Sequence, residues 1–404
     1  MQDDPLSGKS LYHDVVNYAR LGEHRTGTPC DASTTQWILD QMKDTGLQAA
    51  FQSFSFRQIL PEHISLTVRD TSVQAFPEWT PMSAGTNPVR AALVPAEASV
   101  ADLPGKIVLL RLPGGRSEMT GFRADLRVNL KRLRAAGAVA AVIITPSPSG
   151  QVFIFGDEER GEAFALPLLA AGSRDDELLS RAAENREEVT FWLDCRENAA
   201  GSSRNVIARY GRSGDVVVVS TPTSGWFTCG GERGPGIAVA LGLAKWVARR
   251  KPHVGYLFDF NSGHELMGIG VRRFLAELAP KPAEVRCWLH LGANIATYDF
   301  ERNSPVYRPV ANNSKYRLPC SNEAMLPALS TAFADMPQVK PTVGPGIGEL
   351  IAFIQQGYRA FGMFGGRHYY FHNPGDGPQT TAPELLQPVA ACLAEALEAF
   401  EKET

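Results

Sequence analysis

Runs of apolar residues alternate with amphipathic stretches along most of the chain. Near the N-terminus, "YHDVVNYARL" and "ASTTQWILDQMKDTGL" carry helical spacing on either side of the turn "GEHRTGTPCD". The 31–34 region offers a helix start and Gly46 a stop. "AAFQSFSF" and "HISLTVRD" then alternate with the two-residue period of strands. From about 73 to 198 the pattern changes. "DLPGKIVLLRL" is a turn and a buried strand, and "DLRVNLKRLRAAGAVAAVIITP" is a helix, a glycine stop and a second apolar strand. "FALPLLAAG" and "VTFWLDC" are further strands around a short helix. This is a small mixed α/β unit.

"SSRNVIARYG" and "DVVVVSTPTSG" resume a larger sheet. A loop, the helix "GIAVALGLAKWVARR", a strand at 254–260, a helix at 267–278 and the strand "RCWLHLGANI" follow. Continuous Val, Ile and Leu strands between amphipathic helices predict a mostly parallel sheet covered on both faces. Helices at about 322–334 and 347–357, the strand "RAFGMF", the loop "GGRHYYFHNPGDGPQTT" and a helix at 383–402 close the chain. The expected fold is therefore α/β: a three-layer α/β/α sandwich made of 1–72 and 199–404, with 73–198 inserted as a second, smaller domain.

Composition narrows the partners. The 404 residues hold 40 basic and 43 acidic side chains, for a net charge of −3. That balance gives no sign of a nucleic-acid or membrane-surface partner. No run approaches the roughly 18 apolar residues of a membrane-spanning helix. "MQDDPLSGKS" has no apolar core of a signal peptide, which fits a cytoplasmic chain or an exported one whose signal has been removed. Six scattered cysteines form no CxxC pair and neither require nor exclude disulfides.

The chemistry-bearing residues gather in loops after the apolar strands. "FNSGHELMGIG" places His264 and Glu265 where a strand turns toward a helix. Glu265 is either a metal ligand or a carboxylate favoured by the helix dipole. His264 suits a general base, because an imidazole titrates near neutral pH, but it also suits a metal ligand or a satisfied neutral histidine. Thr221, Thr223, Ser224, Trp226 and Cys229 crowd one loop, where hydroxyls and an indole would suit substrate binding. Cys229 lacks the partners of a thiol nucleophile. Ser262 lacks a G-x-S-x-G elbow, so a serine hydrolase is not expected. Arg233 and Arg367 could clamp a carboxylate.

"LGEHRTGTPCDASTTQWILDQMKDTGL", "DLPGKIVLLRL…AAGAVAAVIIT" and "NVIARYG…VVVVSTPTSGW…GERGPGIAVALGLAKWV…FNSGHELMGIGVRRFL…YFHNPGD" together resemble the zinc-dependent aminopeptidase family. That family also contains glutaminyl cyclases and glutamate carboxypeptidase-like enzymes. The inserted part resembles its protease-associated domain. The resemblance implies a zinc-exopeptidase fold and amide or peptide-like substrates. It also implies a metal site that has changed. Thr221 and Thr223 stand where the family has a ligand His and its orienting Asp, and Gly292 falls where it has an Asp. Glu232, Glu265 and His372 match the three remaining ligand positions. The implied cofactor is a single zinc ion with an open fourth position, and His264 takes the general-base position.

Each carry-over has a plainer counterpart. Glu232 could simply pair with Arg233 or another arginine. Asp376 could orient His372 or only form a turn. Glu349 could face the substrate or sit at a helix N-terminus. His290 and Asn294 could supply replacement polar groups. The implied activity is that of a divergent hydrolase of a small amide or peptide. The alternatives are a metal-free ligand-binding protein and a lyase or cyclase that uses His264. A homodimer is compatible with the sequence but not required by it.

Overall fold

A computed structural model describes residues 4–113, 116–154, 164–212, 214–301, 308–310 and 316–403, the side chains of 116–124 and 309 excepted. The chain divides into two units. The first takes residues up to Phe54, Ser202–Phe371 and the residues from Asp376 on; the second takes Ser55–Gly201 and His372–Gly375. The sequence pattern put the boundary near 72 instead. The difference arises because the two strands expected at 49–56 and 63–70 are one continuous strand, Gln48–Val68. No turn marks the point where it passes from one unit to the other.

In the first unit the sheet runs in the order Pro341–Val343, Leu318–Cys320, Ala360–Met363, Val285–Leu291, Val216–Pro222, Gly255–Asn261 and the C-terminal part of Glu188–Tyr210. The Val216–Pro222 strand pairs in parallel with both neighbours, and Val285–Leu291 pairs in parallel with Ala360–Met363. Antiparallel pairing joins Gly255–Asn261 to Glu188–Tyr210 and Leu318–Cys320 to Ala360–Met363. The sheet is mixed, mostly parallel and open.

Strand alternation sorts side chains onto two cores. Val217, Val219, Phe258, Phe260 and Leu289 face the helices Gly8–Arg20, Gly234–Arg250 and Pro383–Lys402 through residues such as Leu11, Leu241 and Leu393. Val216, Val218, Leu257 and Trp288 face Phe274, Leu350 and Phe353 from the helices Ile269–Glu277 and Leu350–Gln355. A sheet buried on both faces explains why its central strands are continuous Val, Ile and Leu runs rather than alternating ones. It also leaves the carboxyl ends of those strands, at Thr221, Asn261 and Leu291, as the places where polar side chains can gather.

The second unit has its own sheet, from the N-terminal part of Glu188–Tyr210 through Val89–Pro95, Ile107–Arg111, Ala140–Thr145 and Leu168–Gly172 to Ala75–Phe76. Its core holds Leu93, Leu109, Val142, Leu169 and Phe191, with Leu179 from the helix Asp176–Glu184. Among the described residues no helix is long and apolar enough to cross a membrane. All six cysteines are free.

Candidate functional site

The turn after Gly255–Asn261 carries the first half of the site. Gly263 has φ of +81°, and a Cβ there would lie 2.4 Å from Ile269 Cγ2, so only glycine makes this turn without strain. Ser224, from the neighbouring strand's loop, pins it. Its Oγ accepts hydrogen bonds from the Gly263 and His264 amides at 3.0 and 3.1 Å. The helix begins only at Ile269, with Gly268 as its N-cap and no acidic residue in its first turn. Glu265 is therefore not a helix-dipole carboxylate.

Glu265 instead meets a guanidinium. Arg233 Nη2 lies 3.0 Å from Glu265 Oε1 and 2.9 Å from Glu232 Oε1. The three side chains expose 2%, 3% and 1% of their surface, so this is a fully buried carboxylate–guanidinium–carboxylate bridge. Arg233 Nε donates to Ser224 O at 3.0 Å, which fixes the plane of the fork. The ion pair of Glu232 with Arg233, the plainer counterpart read from the sequence, is present, and it extends to Glu265. Burial alone would favour the neutral arginine, but the two carboxylates outweigh it and raise its basicity.

His264 completes the cluster. Its Nδ1 donates to Glu349 Oε1 at 3.0 Å, and its Nε2 lies 3.8 Å from Glu265 Oε2. Glu349 does sit at the N-cap position of Leu350–Gln355, yet its side chain makes no capping bond there. Burial pulls the His264 pKa down, Glu265 and Glu349 push it up, and Arg233 opposes them; the net shift is upward. Glu349 is buried, which raises its pKa, but the His264 contact overrides this and holds it below the ordinary carboxylate value.

A relay from the sheet backs Glu349. The Trp288 indole N–H donates to Ser220 Oγ at 2.8 Å, and Ser220 Oγ lies 3.0 Å from His290 Nδ1. The Glu349 carboxylate near Nε2 favours the ring proton on that nitrogen, so Ser220 Oγ accepts from the indole and donates to His290 Nδ1. The His290 proton then resides on Nε2, 3.9 Å from Glu349 Oε2. Burial lowers the His290 pKa to about 4, so this ring is neutral. Asp259, paired in register with Ser220, lies beneath them. Burial and the nearby Glu349 raise its pKa well above the ordinary carboxylate value.

The remaining positions named from the sequence fall as follows. Thr221 Oγ1 donates to Leu291 O at 3.0 Å and Thr223 Oγ1 to Asn261 O at 3.2 Å, so both hydroxyls are committed to backbone carbonyls. Trp226 is buried. Ser262 Oγ donates to Asp31 at 2.7 Å. Arg367 is exposed, with its guanidinium 5.7 Å from the Phe371 ring centroid. A Cβ on Gly292 would lie 2.1 Å from two Phe364 ring carbons, so that ring fills the space a side chain at 292 would need. Asn294 is buried and its backbone N–H donates to Glu232 O. His372 belongs to the second unit. There its Nδ1 donates to Ile154 O at 2.8 Å and its ring stacks on Phe153.

Zinc can be tested against this geometry. An ion bonded to carboxylate oxygens at about 2.0–2.2 Å would have to occupy the space where Nη2 touches both Glu232 and Glu265. A permanently charged guanidinium already neutralises that pair, so zinc does not fit between them as they are arranged. A different group does come together. Cys229, Glu232 and Asp376 bring one donor atom each within 4.8 Å of one another, all buried. Asp376 also accepts from the Gly231 and Glu232 amides at 2.8 and 3.1 Å, holding the loop that presents Glu232 and Arg233. Burial, Glu232 and Asp376 all raise the Cys229 pKa, so it is a thiol here.

The whole chain is similar in fold to zinc aminopeptidases. The zinc aminopeptidase BSAP from Bacillus subtilis superposes with a TM-score of 0.76 at 17% identity, covering 98% of this chain and 96% of that one. A peptidase M28 precursor from Shewanella amazonensis gives 0.76 at 15% identity, over 99% and 95%. A glutaminyl cyclase from Porphyromonas gingivalis gives 0.52 at 9% identity, over 98% and 99%. No family model matches the sequence, and no curated protein matches it. At these identities the likeness shows the fold.

The sequence pointed to His264, Glu232, Glu265 and Glu349, and the structure brings these four together around Arg233. It did not point to Ser220 or Trp288. Their only signal was a serine closing an otherwise aliphatic strand and an indole at the centre of another.

Proposed function

We propose that the chain is a hydrolase of amide or peptide-like substrates in which His264 moves the proton and Arg233 holds Glu265 beside it. The observation that carries this is that His264 Nε2 and Arg233 Nη2 approach the two oxygens of one carboxylate, Glu265, at 3.8 and 3.0 Å. Glu349 accepts the hydrogen bond from Nδ1–H, so neutral His264 keeps its lone pair on Nε2. With 30% of its side chain exposed, that ring can meet water and substrate.

His264 Nε2 takes a proton from water as the water oxygen bonds to the substrate carbonyl carbon. The imidazolium that forms offsets the charge that develops on the carbonyl oxygen. The C–N bond then breaks, and His264 returns the proton to the departing nitrogen. The His264 contact keeps Glu349 ionised, with His290 behind it. The proteins of similar fold that are named as peptidases support amide substrates.

The test is hydrolysis of a panel of dipeptides, amino-acid amides and N-acyl amino acids by the parent and by His264→Gln. Turnover by the parent that falls by about 10²–10⁴ in the variant supports the proposal. Turnover that His264→Gln leaves intact, or no turnover of any member with or without added zinc, sinks it.

The Cys229, Glu232 and Asp376 group favours a second reading, a one-metal enzyme with its ion there. It requires the buried thiol to ionise and Asp376 to take an ion while it holds two backbone amides.

A further inference from the structure

The site has a cation built into the chain. Glu232 and Glu265 are two buried carboxylates on different loops, and Arg233 Nη2 stands between them at 2.9 and 3.0 Å. Burying two such charges without a counter-charge is strongly unfavourable. Some cation must lie there, and the fold supplies it from the residue next to Glu232, at the start of the helix Gly234–Arg250. The fork is aimed by Ser224 O, and Ser224 Oγ holds the His264 amide, so the cation and the imidazole are set by one residue. Neither Gly292 nor Thr221 offers a ligand beside this pair. Phe364 occupies the space at Gly292, and Thr221 is tied to Leu291 O.

We propose that Arg233 is a covalent replacement for a metal ion, and that Glu232 and Glu265 form a latent divalent-cation site which opens only when the guanidinium is removed. Cys229, whose Sγ lies 3.9 Å from Glu232 Oε2, supplies a third donor to that latent site. The inference does not depend on the hydrolase assignment, since cation binding is read without substrate. It also makes the arginine position decisive for metal dependence. Lysine there keeps the positive charge and keeps divalent ions out. A neutral amide side chain lets them in.

The experiment is calorimetric titration of ZnCl2 into the full chain, with circular dichroism to confirm folding, for the parent, Arg233→Asn, Arg233→Gln and Arg233→Lys. CoCl2 in place of zinc adds an absorption readout of coordination. The parent and Arg233→Lys are expected to show no uptake that Glu265→Gln abolishes. Arg233→Asn and Arg233→Gln are expected to bind one ion at least about tenfold more tightly than the parent, with a cobalt spectrum that changes when Cys229→Ser is added. Arg233→Gln keeps N–H donors for both carboxylates, so it remains informative if Arg233→Asn does not fold. Stoichiometric zinc in the parent, lost in Glu265→Gln, overturns the proposal. So does a failure of both folded neutral variants to gain an ion.

Discussion

His264 Nδ1 lies 3.0 Å from Glu349 Oε1, and this contact decides which imidazole nitrogen is left for chemistry. A carboxylate can only accept here, so the neutral ring carries its proton on Nδ1 and its lone pair on Nε2. His264→Asn is expected to abolish proton transfer. Glu349→Gln is expected to lower kcat and move the acid limb of the pH–rate profile downward, because the carboxylate that raises His264 basicity is gone. An unmoved acid limb in Glu349→Gln would show that the contact does not tune the base.

The same pair makes stability depend on pH in a defined direction. His264 is shifted up from an ordinary value of 6.5, so its contribution is complete below that value and is lost as pH rises through the higher folded value. Glu349 is shifted down from 4.5, so its contribution is complete above that value and is lost as pH falls through the lower folded value. Both operate together between about pH 4.5 and 6.5. Glu349→Gln is expected to cost about 2 kcal/mol in urea unfolding at pH 5.5, and less at pH 9. An equal cost at both would contradict the ionic account.

Arg233→Met is expected to cost about 3–5 kcal/mol, since it leaves two buried carboxylates facing each other. Adding Glu265→Gln should recover part of that loss, as one charge then disappears. A double variant less stable than Arg233→Met alone would argue that the guanidinium is not balancing Glu265. The comparison is made by denaturant unfolding at neutral pH.

Gly292→Asp places a carboxylate where the resemblance to zinc aminopeptidases implies one, and it should fail for a steric reason. Its Cβ would meet Phe364 ring carbons at 2.1 Å. The expected loss is about 2 kcal/mol or more from overpacking. Gly292→Asp combined with Phe364→Ala should be less destabilised than the sum of the two single changes. Simple additivity of the three thermal midpoints would count against the clash.

Trp288→Phe removes the indole donor to Ser220 Oγ and frees that serine to turn its proton away from His290. The expected cost is about 1–2 kcal/mol, with a fall in kcat that Ser220→Ala reproduces without addition. Independent, additive effects of the two changes would break the relay.

Much of the fold is legible in the sequence because its signals are local. "DVVVVS" and "YLFDF" are too apolar for half-exposed strands, and the helices between them have clear faces. The boundary at Phe54 was not legible, since Gln48–Val68 crosses it in one unbroken strand. The candidate cluster was legible where its residues stand at adjacent positions, as His264 and Glu265 do. It was not legible where one side chain satisfies partners far apart in the chain. Arg233 read as a partner of its neighbour Glu232, and nothing in the spacing announced its second bond to Glu265. Ser220, Trp288 and His290 likewise meet only through strand pairing.

The account rests on the guanidinium standing where a metal would otherwise stand, and diffraction at the zinc absorption edge from crystals grown with ZnCl2 addresses it most directly. The predicted result is continuous density from Arg233 to both Glu232 and Glu265, with no anomalous peak between the carboxylates. An anomalous peak bonded to Glu232 and Glu265, with the Arg233 side chain swung away, would contradict it.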